Sequence, residues 1–139
     1  MSALTPRRIT LGFYAAALVN IVGILLFSKG YTNELMSAMY PSVFSTFSLV
    51  CIQLWGLAYW ATARHYDKVP QIVAVFAVEK FAYVATWIVW MNHFGKQLPD
   101  LMSQSFLTGN FYAAYGLIDL SFGVFFAIVA WRGFKTKTA

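Results

Sequence analysis

At 139 residues, of which 60% are hydrophobic, 19% aromatic and only 11% charged, the chain has too little polar surface for a water-soluble domain of its size. Its net charge of +5 would suit a nucleic-acid partner only if the basic residues shared a solvated face, and they stand instead at the ends of apolar runs. The composition therefore argues against a soluble globular protein and a nucleic-acid binder, and for an all-α integral membrane protein with one transmembrane domain over residues 1–139.

The first apolar run, about Ile9 to Ser28, follows Arg7 and Arg8. It is too long for the hydrophobic part of a signal peptide, and Lys29-Gly30-Tyr31 offers no small-x-small cleavage site, so it is expected to stay as the first span. A connector from Lys29 to Pro41 carries Asn33 and Glu34, and Pro41 is placed to open the next helix. The second run, about Ser42 to Ala63, contains the lone Cys51, which excludes an intramolecular disulfide and a Cys-x-x-Cys redox centre. A tight charged turn, Arg64-His-Tyr-Asp-Lys-Val69, precedes the third run from Pro70 to about Met91. The connector from Asn92 to Ser105, with Gly95 and Pro99-Asp100, has room for a short interfacial helix before the fourth run, Phe106 to about Trp131. Four runs joined by short connectors are expected to close as an antiparallel four-helix bundle, because backbone left unpaired in lipid costs several kcal/mol per group.

Alternate connectors lie on the same side of the membrane. Arg7, Arg8, Arg64, Lys68, Arg132, Lys135 and Lys137 then share one side, against Lys29 and Lys96 on the other. That bias places both termini in the cytoplasm, with a bacterial inner membrane as the expected location. Trp60, Trp90, Trp131, Tyr31, Tyr40 and Tyr66 fall near the run ends, where interfacial anchors are expected.

The midpoints of the four runs fall beside Asn20, Gln53, Glu79-Lys80 and Asp119, so every helix carries a polar group at about one depth. Helical phase gives each of them company. Glu79 shares a face with Tyr83, Thr86 and Trp90, Asp119 with Thr108, Tyr112, Tyr115 and Gly123, Gln53 with Ser42, Thr46, Gly56 and Trp60, and Asn20 with Ala16, Gly23 and Phe27. Lys80 projects about 100° from Glu79 and is too short to reach the headgroups, so it must find a neighbouring helix or a second copy of the chain. Asp119 is the expected partner in a buried ion pair, which leaves Glu79 without an assigned one. On insertion scales such charged groups cost roughly 2.5 to 3.5 kcal/mol each, against about 0.3 to 0.6 recovered per Leu, Ile, Phe or Val. Stability alone does not favour keeping them, although buried charges also fix helix register. Stripes of small residues, Gly12-Ala16-Asn20 and Gly109-Ala113-Gly116, permit close helix contact and specify no function.

The two histidines, His65 and His93, lie in connectors on opposite sides, which excludes a bis-histidine haem and a histidine-dependent zinc or di-iron site. No nucleophile-plus-base pattern and no glycine-rich phosphate loop is present, so no catalytic residue, metal or cofactor is assigned. The first functional expectation is a non-enzymatic membrane component that binds a membrane partner or an amphipathic, lipid-like small molecule. Its binding or proton-relay candidates are Glu79, Lys80, Asp119, Asn20, Gln53, Tyr83, Tyr112 and Tyr115. The second is a small transporter or proton-coupled carrier using Glu79 or Asp119, and the third an enzyme acting on a lipid-soluble substrate. The expected partners are the lipid bilayer and either further copies of the chain or a larger membrane complex, with no nucleic acid.

Overall fold

Thr5 starts the first helix by accepting the Arg8 amide, and Pro6 takes the first turn, where its missing N–H leaves nothing unpaired. This is the start of residues 4–138, which a computed structural model describes and which hold helices and no strand. Helix α1, Pro6–Phe27, contains one π turn at Val19–Gly23. It ends where Lys29, Gly30 and Tyr31 all take positive φ, of 50°, 62° and 70°. Only Gly30 does so without cost, so the flanking Lys29 and Tyr31 are held there by the surrounding contacts.

Asn33 then caps α2, Glu34–Met39, by accepting the Met36 amide, and its Nδ2 ties this connector to Phe27 O and to Thr108 Oγ1. A single turn, α3, Pro41–Phe44, precedes α4, Thr46–Thr62. The run expected as one span over 42–63 is therefore interrupted. Ser45 is extended, at φ −62° and ψ 160°, and its hydroxyl accepts the Ser48 amide, so a serine that supplies its own cap starts a new helix inside an apolar run.

Helix α5, Pro70–Phe94, passes through a tight turn at Gly95–Gln97 into α6, Leu98–Gln104, and α7, Phe106–Thr138, completes the chain. Both later elements exceed the expected bounds of 70–91 and 106–131. Nothing in Asn92-His93-Phe94 breaks a helix, and Pro99 sits in the first turn of α6, where proline is tolerated. Among the described residues three helical stretches are long and apolar enough to cross a membrane, Pro6–Phe27, Pro70–Gln104 and Phe106–Lys137, while α4 has 17 residues.

Successive long helices run antiparallel, α1 against α4 and α5 against α7. Two apolar cores result. One joins Ile9, Phe13, Tyr59, Phe76 and Phe126 at the end carrying both termini; the other joins Ile24, Phe44, Leu49, Trp90 and Tyr112 at the opposite end. Trp90, expected as an interfacial anchor, is instead 1% exposed and stacks on Tyr112 at 4.5 Å, because α5 continues past it.

The α1–α4 contact depends on Gly56, where an added Cβ would lie 2.9 Å from Asn20 Cβ and 3.2 Å from Ala17 O. Gly56→Ala is expected to lower stability by about 1 to 3 kcal/mol through overpacking. Gly23→Ala, whose nearest neighbour would be 3.9 Å away, should be close to neutral. Thermal melts of both variants in detergent check this, and equal melting temperatures would contradict it.

Candidate functional site

Between the two cores lies a polar layer with Lys80 at its centre. Lys80 is 2% exposed; its Nζ donates to Asp119 Oδ1 on α7 at 2.7 Å and to Asn20 Oδ1 on α1 at 2.9 Å. The ammonium also stands 5.3 Å from the centre of the Tyr59 ring on α4, close enough for attraction to the ring face. One side chain of α5 thus touches a residue on each of the other long helices.

Asn20 is held in place by its own amide, which donates to Ile52 O at 3.0 Å. It sits in the π turn, a widened turn that turns its side chain inward and lets Ile21 O receive Gln53 Nε2 at 3.1 Å. Gln53 also accepts the Tyr31 hydroxyl, so it anchors the strained turn after α1 and is not hydrogen-bonded to the charged groups.

Glu79 faces α4, where the Tyr59 hydroxyl donates to its Oε2. Its Oε1 is buried and has no hydrogen-bond partner among the described residues. Such an oxygen forfeits about 1 to 3 kcal/mol of hydrogen bonding, more if charged, unless something else supplies a donor.

Glu79, Lys80, Asn20 and Asp119 border a crevice of about 70 Å³ between α1 and α7. Its walls include Val19, Ile24, Phe27, Phe111, Tyr115 and Ile118. Val19 and Ile118 are 37% and 38% exposed, so this side of the crevice meets the outer surface of the helices. Tyr83, one turn beyond Glu79, lines it too and also borders a second crevice formed with Ser42, Val43, Ser48, Ala82 and Thr86. Tyr115 lines the first crevice and shares a hydrogen bond with Thr86 at 3.2 Å. Tyr112 does not reach it, because its hydroxyl donates to Met36 O at 2.6 Å inside the second apolar core.

Of the eight candidates, Asn20, Glu79, Lys80, Asp119, Tyr83 and Tyr115 meet at one crevice, while Gln53 and Tyr112 serve other contacts. Tyr59 is a partner that the sequence pattern did not single out. The face expected to turn inward on this helix included Thr46 and Trp60, both of which are exposed, and Gly56, which is buried; Leu49, Ile52, Tyr59 and Ala63 are buried with it. Those five positions follow the spacing of a helix face, and Ser45 detaches Ser42 from it.

Among the described residues no group of three His, Cys, Asp or Glu side chains is placed to hold an ion. His93 contacts the backbone of its own helix at Val89 O, 2.8 Å away. The basic residues gather beside the first core, where Arg132 donates to Leu4 O, Lys137 to Lys68 O and Arg64 to the Tyr14 hydroxyl. At this end partial burial, and then the Asp67 carboxylate, raise the Tyr66 phenol above its ordinary value against the opposing pull of Arg132. The phenol therefore adds no negative charge there at neutral pH.

No protein-family model, no curated protein and no solved structure matches the chain.

Proposed function

We propose that the protein is an integral membrane four-helix bundle that binds an amphipathic small molecule at its polar layer, admitted from the lipid between α1 and α7. Glu79 Oε1, buried and unpartnered beside a crevice with apolar walls, is the observation that carries the reading. The outer surface supports the setting: Leu18, Phe47, Val78 and Phe106 are 58%, 77%, 68% and 77% exposed, an arrangement suited to lipid and costly in water. Helix α4 provides the fourth crossing. Its 17 residues measure about 25 Å, a little under the hydrocarbon thickness, and the α3 turn supplies the remainder.

The basic residues beside the first core orient the bundle with both termini in the cytoplasm, in a bacterial inner membrane. A reporter fused after Ala139 that is active only outside the cytoplasm should stay silent, and activity there would reverse the orientation.

Filling the crevice tests binding without touching the charged groups. Ala114 lines it, so Ala114→Leu should remove any lipid-soluble molecule that co-purifies with the protein, while Ala85→Leu on the exposed side of α5 should keep it. Mass spectrometry of denatured, detergent-purified protein reads the difference. Equal ligand content in the two variants would remove the crevice from the function.

A proton-coupled carrier is the second reading. It is favoured by two carboxylates around one ammonium, which leave one formal negative charge for a proton or a cation to neutralise, and by Tyr83, which separates crevices on two faces of the bundle.

A further inference from the structure

We infer that the molecule taken into the crevice is an amphipathic amine, its ammonium group seated on Glu79 and its apolar tail leaving between α1 and α7. This rests on the binding reading above and adds the chemical class of the ligand.

Charge is the first reason. Glu79, Asp119 and Lys80 are the ionisable side chains of opposite sign gathered at the polar layer, so two formal negative charges meet one positive. An ammonium head balances them; an alcohol does not, and a carboxylate head would bring a third negative charge into a site with a single cation.

Hydrogen bonding narrows the choice further. Two of the three Lys80 donors go to Asp119 and Asn20, with the Tyr59 ring also close to the ammonium, and Asn20 Nδ2 donates to Ile52 O, so most of the donors of the layer are used within the protein. Glu79 Oε1 is the reverse case, an acceptor with no donor. A ligand that brings a donor satisfies this oxygen, and a charged donor makes the stronger bond to a carboxylate.

Aromatic walls supply the third reason. Phe27, Phe44, Tyr83, Phe111 and Tyr115 surround the crevice, and ring faces attract organic cations in desolvated sites. Apolar rings alone would suit any tail. Rings together with a buried carboxylate favour a cationic head.

The test uses the full chain in detergent with three probes of matched tail, octylamine, 1-octanol and octanoate, read as shifts of the melting temperature against concentration. Octylamine should act at about tenfold or more lower concentration than 1-octanol, the difference between a charge-assisted and a neutral hydrogen bond, and octanoate should have the weakest effect. Glu79→Gln should bring octylamine to the level of 1-octanol, and Ala114→Leu should abolish the response to both. If 1-octanol or octanoate matches octylamine and Ala114→Leu still removes the response, the crevice binds ligand but the amine assignment is overturned. If no probe shifts the wild-type protein, or Ala114→Leu responds like wild type, the amine assignment and the binding reading fall together. Should Glu79→Gln fail to fold, the ranking of the three probes on the wild-type protein still decides.

Discussion

Lys80→Met is expected to cost about 3 to 5 kcal/mol of stability, because it leaves Asp119 buried without its cation. Asp119 is 14% exposed at the side chain and Lys80 2%, so water cannot replace the missing partner as it does at a surface ion pair. The same change frees Asn20 Oδ1, which accepts from Lys80 at 2.9 Å, and so weakens the tie between α5 and α1 as well. Asp119→Asn leaves the opposite fault, an ammonium with Asn20 and neutral dipoles alone. Combining the two changes removes both charges, and the double variant should be more stable than the sum of the single losses predicts. Melting temperatures of the four proteins in one detergent give the coupling. Strictly additive losses would show that Lys80 and Asp119 do not act as a pair.

Glu79 and Tyr59 should separate binding from folding. In Glu79→Gln the amide oxygen still accepts the Tyr59 hydroxyl and the side chain keeps its volume, so the melting temperature should change little. Binding should fall by about tenfold or more, since the amide offers an NH₂ donor where the carboxylate presents an acceptor. Tyr59→Phe does the reverse to the protein itself. It removes the hydroxyl from Glu79 Oε2 and leaves both carboxylate oxygens without a protein donor, with an expected loss of about 1.5 to 3 kcal/mol. Thermal melts of the two variants beside their ligand content check the pattern. A Glu79→Gln protein that melts far below Tyr59→Phe while retaining ligand would make Glu79 a structural residue.

Depth along each helix was legible in the sequence, and azimuth was less so. Asn20, Lys80 and Asp119 meet in one layer because polar residues at the midpoints of antiparallel runs of similar length come to the same level. Gln53 stands at that level too, but rotation about α4 sends it towards the Tyr31 hydroxyl and Ile21 O. The helix that carries Gln53 starts only after Ser45, whose capping hydroxyl interrupts a run that reads as continuous when apolarity alone is followed. Once Ser42 is detached, the remaining pattern of α4 turns Tyr59 inward and Trp60 outward.

The π turn at Val19–Gly23 had no distinct signal, since its five residues are ordinary for an apolar helix and the widened turn is supported by tertiary contacts of Asn20 and Ile21. Helix ends were misjudged where charged or polar residues entered a helix without breaking it, as in Asn92–Phe94 and in the last turns of α7. The crevice was beyond sequence reasoning altogether. Phe13 of α1 packs on Phe126 of α7 with ring centres 5.0 Å apart, whereas further along the same two helices Val19 and Ile118 line open space beside the charged groups.

An experimental structure in a lipid environment, with density inspected beside Glu79 Oε1, tests the central claim most directly. Elongated non-protein density should begin within hydrogen-bond distance of that oxygen and run outward between Val19 and Ile118. A crevice closed by side chains, with Glu79 Oε1 accepting a hydrogen bond from the protein itself, would contradict it.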